Sequence, residues 1–157
     1  MGDPNDIIIL DGIARRVANE LHAIGVDQWS ATYPSIREFT ADIARSGLYI
    51  DEEAGRIVGS ISVLPENDPA YAAVVWKGRK AFVVHRLMVD PDARLQGTGS
   101  ALLEFAIGLA MDAGMDAVKV DTHPDNQRMR RLLVKHGFIP RGYLPSINRD
   151  AYERLLK

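Results

Sequence analysis

The chain has 157 residues, a length that suits one ordinary domain with a core of its own. Its formal net charge of −2 argues against a nucleic-acid binder or a protein of anionic membranes, because either partner demands a pronounced basic surplus. The sequence has no cysteine, which excludes disulfides, thiolate metal sites and a cysteine nucleophile and agrees with a reducing cytoplasm.

The beginning of the sequence shows no targeting signal. Residues 1–6 are acidic rather than basic, and no apolar core with a small-residue cleavage site follows them. No apolar run approaches the length of a membrane span. We therefore expect a single cytoplasmic domain over residues 1–157, with neither a membrane nor a nucleic acid as its partner.

Hydrophobic periodicity divides the chain into helices with apolar residues three and four apart and strands with apolar runs. Several helices end at a glycine, and one begins at the capping box Ser35-x-x-Glu38. In chain order the patterns predict a helix over 7–24, a helix over 35–47, strands over 48–50 and 57–63 around a turn at 52–55, a strand over 81–89, a helix over 100–113, a strand over 117–122, a helix over 126–136 and strands over 138–144 and 151–156.

Two of these assignments have an open alternative. Residues 7–10 could be a short strand, and residues 151–156 are only weakly separable from a helix. Residues 81–89 are apolar on both alternating faces apart from His85 and Arg86, which indicates a central strand covered on both sides. Helices and a hairpin, followed by alternating strands and helices, predict one mixed α/β sheet.

A basic, glycine-containing turn, Arg94-x-x-Gly97-x-Gly99, joins the central strand to the next helix. Unpaired N–H groups and the positive end of the helix dipole meet there, which is typical of an anion site. The glycines leave room for a phosphate, and Arg94 can pair with its oxygens. The Walker pattern needs Lys-Ser/Thr where this chain has Ser100-Ala101, and the three-glycine dinucleotide pattern is absent. The alternative is a plain tight turn with a solvated arginine.

Two motifs follow one another at a characteristic separation. The first, before an apolar helix, is Val89-x-Pro91-x-x-Arg94-x-x-Gly97-x-Gly99. The second, after the next strand, is Asn126-x-x-Met129-x-x-Leu132-Leu133-x-Lys135-x-Gly137-Phe138. Together they resemble the GNAT superfamily of acyl-CoA-dependent N-acyltransferases, over roughly residues 48–145. This resemblance implies a mixed, mostly antiparallel sheet with splayed parallel strands in its middle and helices on both faces.

The resemblance also implies acetyl-CoA as the acyl donor and no metal. Backbone amides of residues 95–100 would hold the pyrophosphate, and the pantetheine arm would lie in a gap beside the central strand. Asn126 would contact the pantetheine, although a plain helix N-cap is its alternative role. Arg128, Arg130 and Arg131 more simply form a solvated face than an adenosine-phosphate site. The donor-binding residues implied are Leu87, Met88, Val89, Arg94, Leu95, Gln96, Gly97, Thr98, Gly99, Ser100 and Asn126.

For the transfer itself, the resemblance implies direct attack of a primary amine on the thioester in a ternary complex. His85 is the first candidate for the base, because the ordinary pKa of imidazole suits proton transfer. Strand alternation predicts that it shares a face with Leu87 and Val89. A hydrogen-bonded interior histidine is the alternative.

Two positions depart from the family pattern. Many members carry a carboxylate where this chain has Val83, and a tyrosine acid where it has Leu133, which falls on an apolar helix stripe. Tyr143 is a substitute acid, with a packed or surface tyrosine as its alternative. Relatives usually begin with a strand, which is either missing here or formed by residues 7–10.

The acceptor would be a small-molecule or peptide amine. Trp29 and Tyr33 lie between the first two helices, where relatives build the acceptor pocket, and could form an aromatic wall; ordinary core positions are the alternative. His123 could approach the acceptor as well. The competing functions are a non-catalytic CoA-binding domain, which Val83 and Leu133 favour, and a triphosphate-binding module, which the motif disfavours. The sequence leaves open whether the chain forms a homodimer.

Overall fold

A computed structural model of the chain describes residues 1–156, apart from the side chains of residues 94–96. The described helices are α1 (Ile7–Ala23), α2 (Ile36–Ala44), α3 (Thr98–Asp112) and α4 (Gln127–Lys135), and the described strands are β1 (Leu48–Glu53), β2 (Arg56–Pro65), β3 (Ala81–Val89), β4 (Ala117–Thr122), β5 (Ile139–Leu144) and β6 (Arg149–Leu155). Short 3-10 helices span Pro4–Asp6, Pro69–Ala73 and Pro91–Gln96.

The strands form one sheet in the order β1-β2-β3-β4-β6-β5. The central pair, β3 and β4, is parallel, and the other neighbours pair antiparallel. One face packs mainly on α3, around Leu103 and Ile107, and the other packs on α1, around Leu10 and Ile13. The predicted mixed, mostly antiparallel sheet with helices on both faces is confirmed.

The parallel strands β3 and β4 separate along their length. Their paired residues run from Ala81 with Ala117 to Val84 with Val120, and the described pairing ends there. Residues 85–89 therefore continue along β2 without a ladder on the β4 side. The predicted gap between the two strands opens at this point.

The ends of the chain settle both open assignments. Residues 7–10 begin α1, whose buried stripe includes Leu10, Ile13 and Val17, and no strand precedes it among the described residues. Gly2 N–H donates a single hydrogen bond to the Leu48 carbonyl of β1 at 2.7 Å. The last segment is the strand β6, because its backbone pairs with both β4 and β5.

Several predicted boundaries differ from the structure. The first hairpin turns through Ala54 and Gly55 alone, both with positive φ, so its strands are longer than predicted. Helix α2 ends at Ala44 rather than at residue 47, because Gly47 N–H bonds back to the Asp42 carbonyl as part of the helix end. Helix α3 begins two residues early, at Thr98.

A bulge interrupts β3 beside β2. Ser60 is opposite Met88 and Ser62 is opposite His85, so one residue of β2 faces two residues of β3. Arg86 absorbs the extra residue with a φ of 51°, in the left-handed region. Non-glycine residues adopt that conformation rarely, and sequence alternation gives no sign of it.

The bulge overturns the predicted face of His85. Residues paired across strands share a face, so His85 lies with Met88, which packs on the α1 side of the sheet. Leu87 packs with the α3 side, and Val89 approaches Gly99 of α3. The prediction that His85 shares a face with Leu87 and Val89 is wrong, because one inserted residue shifts the alternation by one position.

Candidate active site

Three adjoining pockets follow the gap between β3 and β4, and together they form the cleft. We call its three parts the elbow end, the middle section and the inner pocket. The elbow end is lined by Val89, Gly97, Gly99, Ser100, Arg131 and Lys135, among others. The middle section is lined by Leu87, Met88, Val89, Gly99, Trp29 and Asn126, among others. The inner pocket is lined by Gln28, Trp29, Tyr33, Val84, His85, Arg86, Asp121 and Arg149.

The parts adjoin one another because they share lining residues. Val89 and Gly99 line both the elbow end and the middle section, and Gln28 and Trp29 line both the middle section and the inner pocket. The inner pocket includes Val84, the last residue of β3 that pairs with β4. The cleft therefore leads from the start of α3 to the point where the two strands part.

The elbow end is built from the first turn of α3. The first backbone hydrogen bond of this helix runs from Ala101 N–H to the Gly97 carbonyl at 3.1 Å, so the N–H groups of residues 98–100 precede the helical ladder. Gly97 has a φ of 74°, which a side chain would strain. Gly99 has no such φ, and its missing side chain leaves the wall of the cleft open.

The side chains predicted to bind the donor at the elbow differ in whether and where the structure places them. Those of Arg94, Leu95 and Gln96 lie outside the described residues, and their backbone belongs to the 3-10 helix that precedes Gly97. Thr98 is 1% exposed, and it is not among the residues that line the cleft. Ser100 lines the elbow end as predicted.

Two hydrogen bonds in a row, which the sequence did not predict, orient Ser100. Its Oγ lies 3.1 Å from His136 Nε2, and the other ring nitrogen of His136 hydrogen-bonds the Glu104 carboxylate. Helix α3 supplies the serine and the glutamate one turn apart, and the histidine follows α4. The hydroxyl is thereby held at the start of α3 next to the exposed N–H groups.

The basic residues of α4 do not act as one cluster. Arg128 and Arg131 line the elbow end, and Arg128 is ion-paired with Glu20 at 2.9 Å. Arg130 turns away and donates to the Tyr152 hydroxyl at 3.2 Å and to the Pro124 carbonyl at 3.0 Å. A solvated face is therefore only part of their role, because two of the three arginines line the cleft.

Asn126 is the N-cap of α4 and also lines the cleft, while its contact with pantetheine stays a prediction. Its Oδ1 accepts the Met129 N–H at 3.2 Å as the N-cap of α4, and the residue also lines the middle section. Its Nδ2 donates to Gln28 Oε1 at 3.0 Å. The same Gln28 oxygen accepts from the Thr122 hydroxyl and the His123 N–H, each at 3.3 Å. Gln28 thereby ties the segment after α1 to the turn between β4 and α4.

Comparison with known proteins identifies the family. The model of the acetyltransferase (GNAT) family matches residues 15–138. This chain belongs to the GNAT family. The crystal structure of a GNAT acetyltransferase from Streptococcus agalactiae 2603 superposes with a TM-score of 0.89 at 23% identity, over 100% of this chain and 94% of that one.

Two further relatives extend the comparison. The Salmonella typhimurium protein yncA, solved with its cofactor acetyl-CoA, has a TM-score of 0.72 at 16% identity, over 99% of this chain and 91% of that one. N-acetyltransferase 8 of Rattus norvegicus is 33% identical over 93 residues, which are 59% of this chain and 39% of that protein. This GNAT chain spans between 38% and 47% of the length of the curated relatives it matches.

Both departures from the GNAT pattern are buried apolar positions. Leu133 is 0% exposed and packs in the core beneath α3, as its helix stripe predicted. Val83 is buried in a separate cluster with Tyr71 and Leu144. Neither position can exchange a proton, so any proton transfer in this GNAT chain must use other groups.

Two predicted site residues lie outside the cleft of this GNAT chain. Tyr143 is exposed on β5, with β6 between it and β4, and its hydroxyl donates to Asn148 Oδ1 at 2.6 Å. His123 is buried in the turn after β4, where its Nδ1 accepts the Asp125 N–H at 3.1 Å, and it is not among the residues that line the cleft. Nearness to a motif in sequence did not bring either side chain to the inner pocket.

Both aromatic residues predicted at the acceptor pocket line the inner pocket, and their contact with an acceptor stays a prediction. Trp29 is 6% exposed and separates the middle section from the inner pocket, while its other contacts are with the core around α1. Tyr33 is partly exposed at the inner pocket, and its hydroxyl accepts a hydrogen bond from Arg86 at 3.2 Å. Trp29 is thus a core residue and a cleft residue at once.

An ion pair that was not predicted fixes the bulge. Arg86 donates through Nε and Nη2 to the two carboxylate oxygens of Asp42, each at 2.7 Å. The Ser62 hydroxyl adds a bond to the same buried carboxylate at 2.6 Å. This bidentate pair neutralises Arg86 and links α2 to β3 immediately beside His85.

The environment of His85 makes it a neutral imidazole. Burial in the inner pocket lowers the pKa of His85 to about 4, and the neighbouring Arg86 cation acts in the same direction while Asp42 opposes it. No hydrogen bond to the ring is found among the described residues. At neutral pH the ring is therefore uncharged and can accept a proton, and its lowered pKa makes it a weaker base than an ordinary imidazole.

Asp121 and Arg149 are pocket residues that sequence analysis missed. The Tyr71 hydroxyl donates to the Asp121 carboxylate at 2.6 Å, and burial raises the pKa of both groups. Arg149 donates to the carbonyls of Ile147, Asn148 and Gln28 at 3.1, 2.9 and 3.2 Å. Neither residue lies in a family motif, and the one local signal was a carboxylate near the end of a buried strand.

Within the described residues, no group of three or more His, Asp or Glu side chains is arranged to hold a metal ion. None of the described helices combines the length and the apolar character that a bilayer span requires.

Proposed function

We propose that the chain is an N-acetyltransferase that moves an acetyl group from acetyl-CoA to a primary amine by direct transfer in a ternary complex. The observation that carries this proposal is the cleft of three adjoining pockets from the start of α3 to the point where β3 and β4 part. It supplies an anion site at one end and a polar pocket with a neutral His85 at the other. The acetyl-CoA solved with yncA, which shares the fold, supports this donor.

The donor fits the residues that line the cleft. N–H groups of residues 98–100 and the Ser100 hydroxyl would hold the diphosphate at the positive end of α3. The part of β3 beyond its last pairing with β4, at residues 87–88, offers backbone groups to an extended pantetheine arm. Asn126 faces this arm from α4. The acetyl thioester would then point into the inner pocket.

The acceptor amine would attack the thioester carbon from the inner pocket. A C–N bond forms, the C–S bond breaks, the CoA thiolate leaves, and the nitrogen loses a proton to His85 directly or through one water. Positioning of the two reactants supplies much of the acceleration, and a base contributes about a hundred- to ten-thousand-fold. A thiol of pKa about 8.5 is a fair leaving group, so water can protonate it without a side-chain acid.

A second candidate function is a non-catalytic CoA-binding domain. The observation that favours it is that Val83 and Leu133 are buried where many relatives carry ionisable groups. The neutral His85 in the polar inner pocket favours the enzyme instead.

The cysteine-free sequence also agrees with a cytoplasmic compartment.

A thiol-release assay with acetyl-CoA and a panel of amines and peptides tests the proposal. Release that depends on the acceptor is the expected result. Tight CoA binding with no release on any acceptor would favour the non-catalytic domain. Calorimetric titration with CoA alone distinguishes both outcomes from a chain that binds no coenzyme.

A further inference from the structure

We propose that the acceptor is a small amino acid-type molecule, whose carboxylate binds Arg149 while its ammonium group faces Asp121. This inference rests on the proposed function and specifies its substrate class. It depends on the charges that line the inner pocket and on which of them are already paired.

The two arginines of the inner pocket differ in their partners. Arg86 is neutralised by the bidentate contact with Asp42. Arg149 has no carboxylate oxygen within 4.0 Å among the described residues. Arg149 therefore has no direct ion pair in the pocket, although its charge is close enough to oppose the rise that burial causes in the pKa of Asp121, whereas Arg86 is paired directly.

Backbone carbonyls hold Arg149 in place without neutralising it. Three hydrogen bonds, to the carbonyls of Ile147, Asn148 and Gln28, use two of its guanidinium nitrogens. The side chain is half-buried at the start of β6. A positioned cation of this kind is a preorganised partner for a carboxylate, since the cost of ordering the side chain is already met.

Asp121 gives the same pocket an opposite charge. Its carboxylate accepts the Tyr71 hydroxyl at 2.6 Å and is not within ion-pair distance of Arg149. Because the two charges share the pocket without contacting each other, a molecule with both an ammonium and a carboxylate can complement each of them. The ammonium must lose one proton, to the Asp121 carboxylate or to water, before the neutral amine can attack. The second proton leaves the nitrogen as the C–N bond forms and passes to His85, which lines the same pocket.

Other amines fit this charge pattern less well. A polyamine or a protein lysine side chain brings positive charge and leaves Arg149 without an anion. A peptide N-terminus carries a neutral amide where an amino acid carries its carboxylate. Each of these would desolvate the guanidinium without compensation. The pocket therefore favours a free amino acid over a protein substrate.

The test compares matched acceptors with the wild-type protein. Leucine and phenylalanine are each compared with their carboxamide and with the amine that lacks the carboxylate, at a pH where the amines are equally deprotonated or with that fraction corrected. We expect kcat/KM to be about 10- to 100-fold higher for the amino acids, which is the effect of a charged hydrogen-bonded pair.

Variants test whether Arg149 causes this preference for acceptors with a carboxylate. We expect Arg149→Met to reduce the ratio of amino acid to amine towards one, and Arg149→Lys to retain part of it. Arg79→Met, which removes an exposed arginine outside the cleft, is the matched control and should keep the full ratio. Thermal melting and CoA affinity of each variant show whether the fold and the donor site are intact.

The outcomes separate this inference from the proposed function. Turnover of the amines with no preference for a carboxylate would overturn the amino acid class and leave the acetyltransferase standing. Equal ratios in the wild type and Arg149→Met would overturn the role of Arg149. No thiol release with any acceptor, despite bound CoA, would overturn the proposed function and the acceptor class with it.

Discussion

Gly99 lies on the wall shared by the elbow end and the middle section, between Val89 of β3 and Leu132 of α4. A Cβ atom at this position would be 3.6 Å from Leu132 Cδ2 and 3.6 Å from Val89 Cγ2, which are ordinary contacts. Gly99→Ala should therefore fold without strain. It would nevertheless place a methyl group in the path that we assign to the donor.

The expected effects on folding and on binding have opposite signs. Alanine in a helix is more favourable than glycine by up to about 1 kcal/mol, so unfolding free energy should stay the same or rise slightly. Displacement of one charge-assisted hydrogen bond between the diphosphate and the first turn of α3 costs about 1.5–3 kcal/mol. The Kd for CoA should therefore rise about 10- to 150-fold, and more in Gly99→Val.

Isothermal titration with CoA measures the Kd, and urea unfolding measures the stability. Gly108→Ala is the matched control, because it lies in the same helix and a Cβ there meets nothing within 4 Å. This control should gain helix stability and bind CoA like the wild type. If Gly99→Val bound CoA as tightly as the control, the donor path that we assign would be refuted.

Three further predictions concern the inner pocket. His85→Gln should lower kcat about a hundred- to ten-thousand-fold with the CoA Kd unchanged, and the wild-type rate should show no inflection near pH 6.5, because the pKa of His85 is about 4. A wild-type inflection there that disappears in His85→Gln would contradict the lowered pKa, and an unchanged kcat in His85→Gln would remove His85 from the mechanism. Since this pKa lies below the ordinary 6.5, the unfolded state binds the proton more readily between pH 6.5 and 4. The free energy of unfolding should therefore fall on acidification through that window, by up to about 3 kcal/mol more in the wild type than in His85→Gln. Urea unfolding at each pH measures this difference. If the free energies of unfolding of the two proteins fell in parallel with pH, the buried neutral ring would be contradicted. Asp42→Asn should cost about 3–5 kcal/mol, because it leaves Arg86 half-buried without its anion, and a loss below 1 kcal/mol in urea unfolding would show that the pair does not hold the bulge.

Local patterns in the sequence predicted most of the fold. The apolar spacing of α1, the capping box of α2 and the two-sided apolar run of β3 each specify an element within one short window. The glycines of the elbow predicted the start of α3 for the same reason. These features depend on neighbours in sequence, so one sequence is enough to find them.

The inner pocket depends instead on contacts between distant segments. Arg86 pairs with Asp42 across 44 positions, and Tyr71 bonds Asp121 across 50. The positive φ of Arg86 cannot be anticipated from a run of apolar residues, and it moved His85 to the other face. Tyr143 is the opposite case. It follows a family motif closely in sequence, but it lies on β5, two strands from β4.

A crystal structure with acetyl-CoA bound tests the central claim most directly. We expect the diphosphate against the N–H groups of residues 98–100, the pantetheine along residues 87–89, and the acetyl group in the inner pocket beside His85. A coenzyme bound elsewhere, with the gap between β3 and β4 closed by protein side chains, would contradict this account.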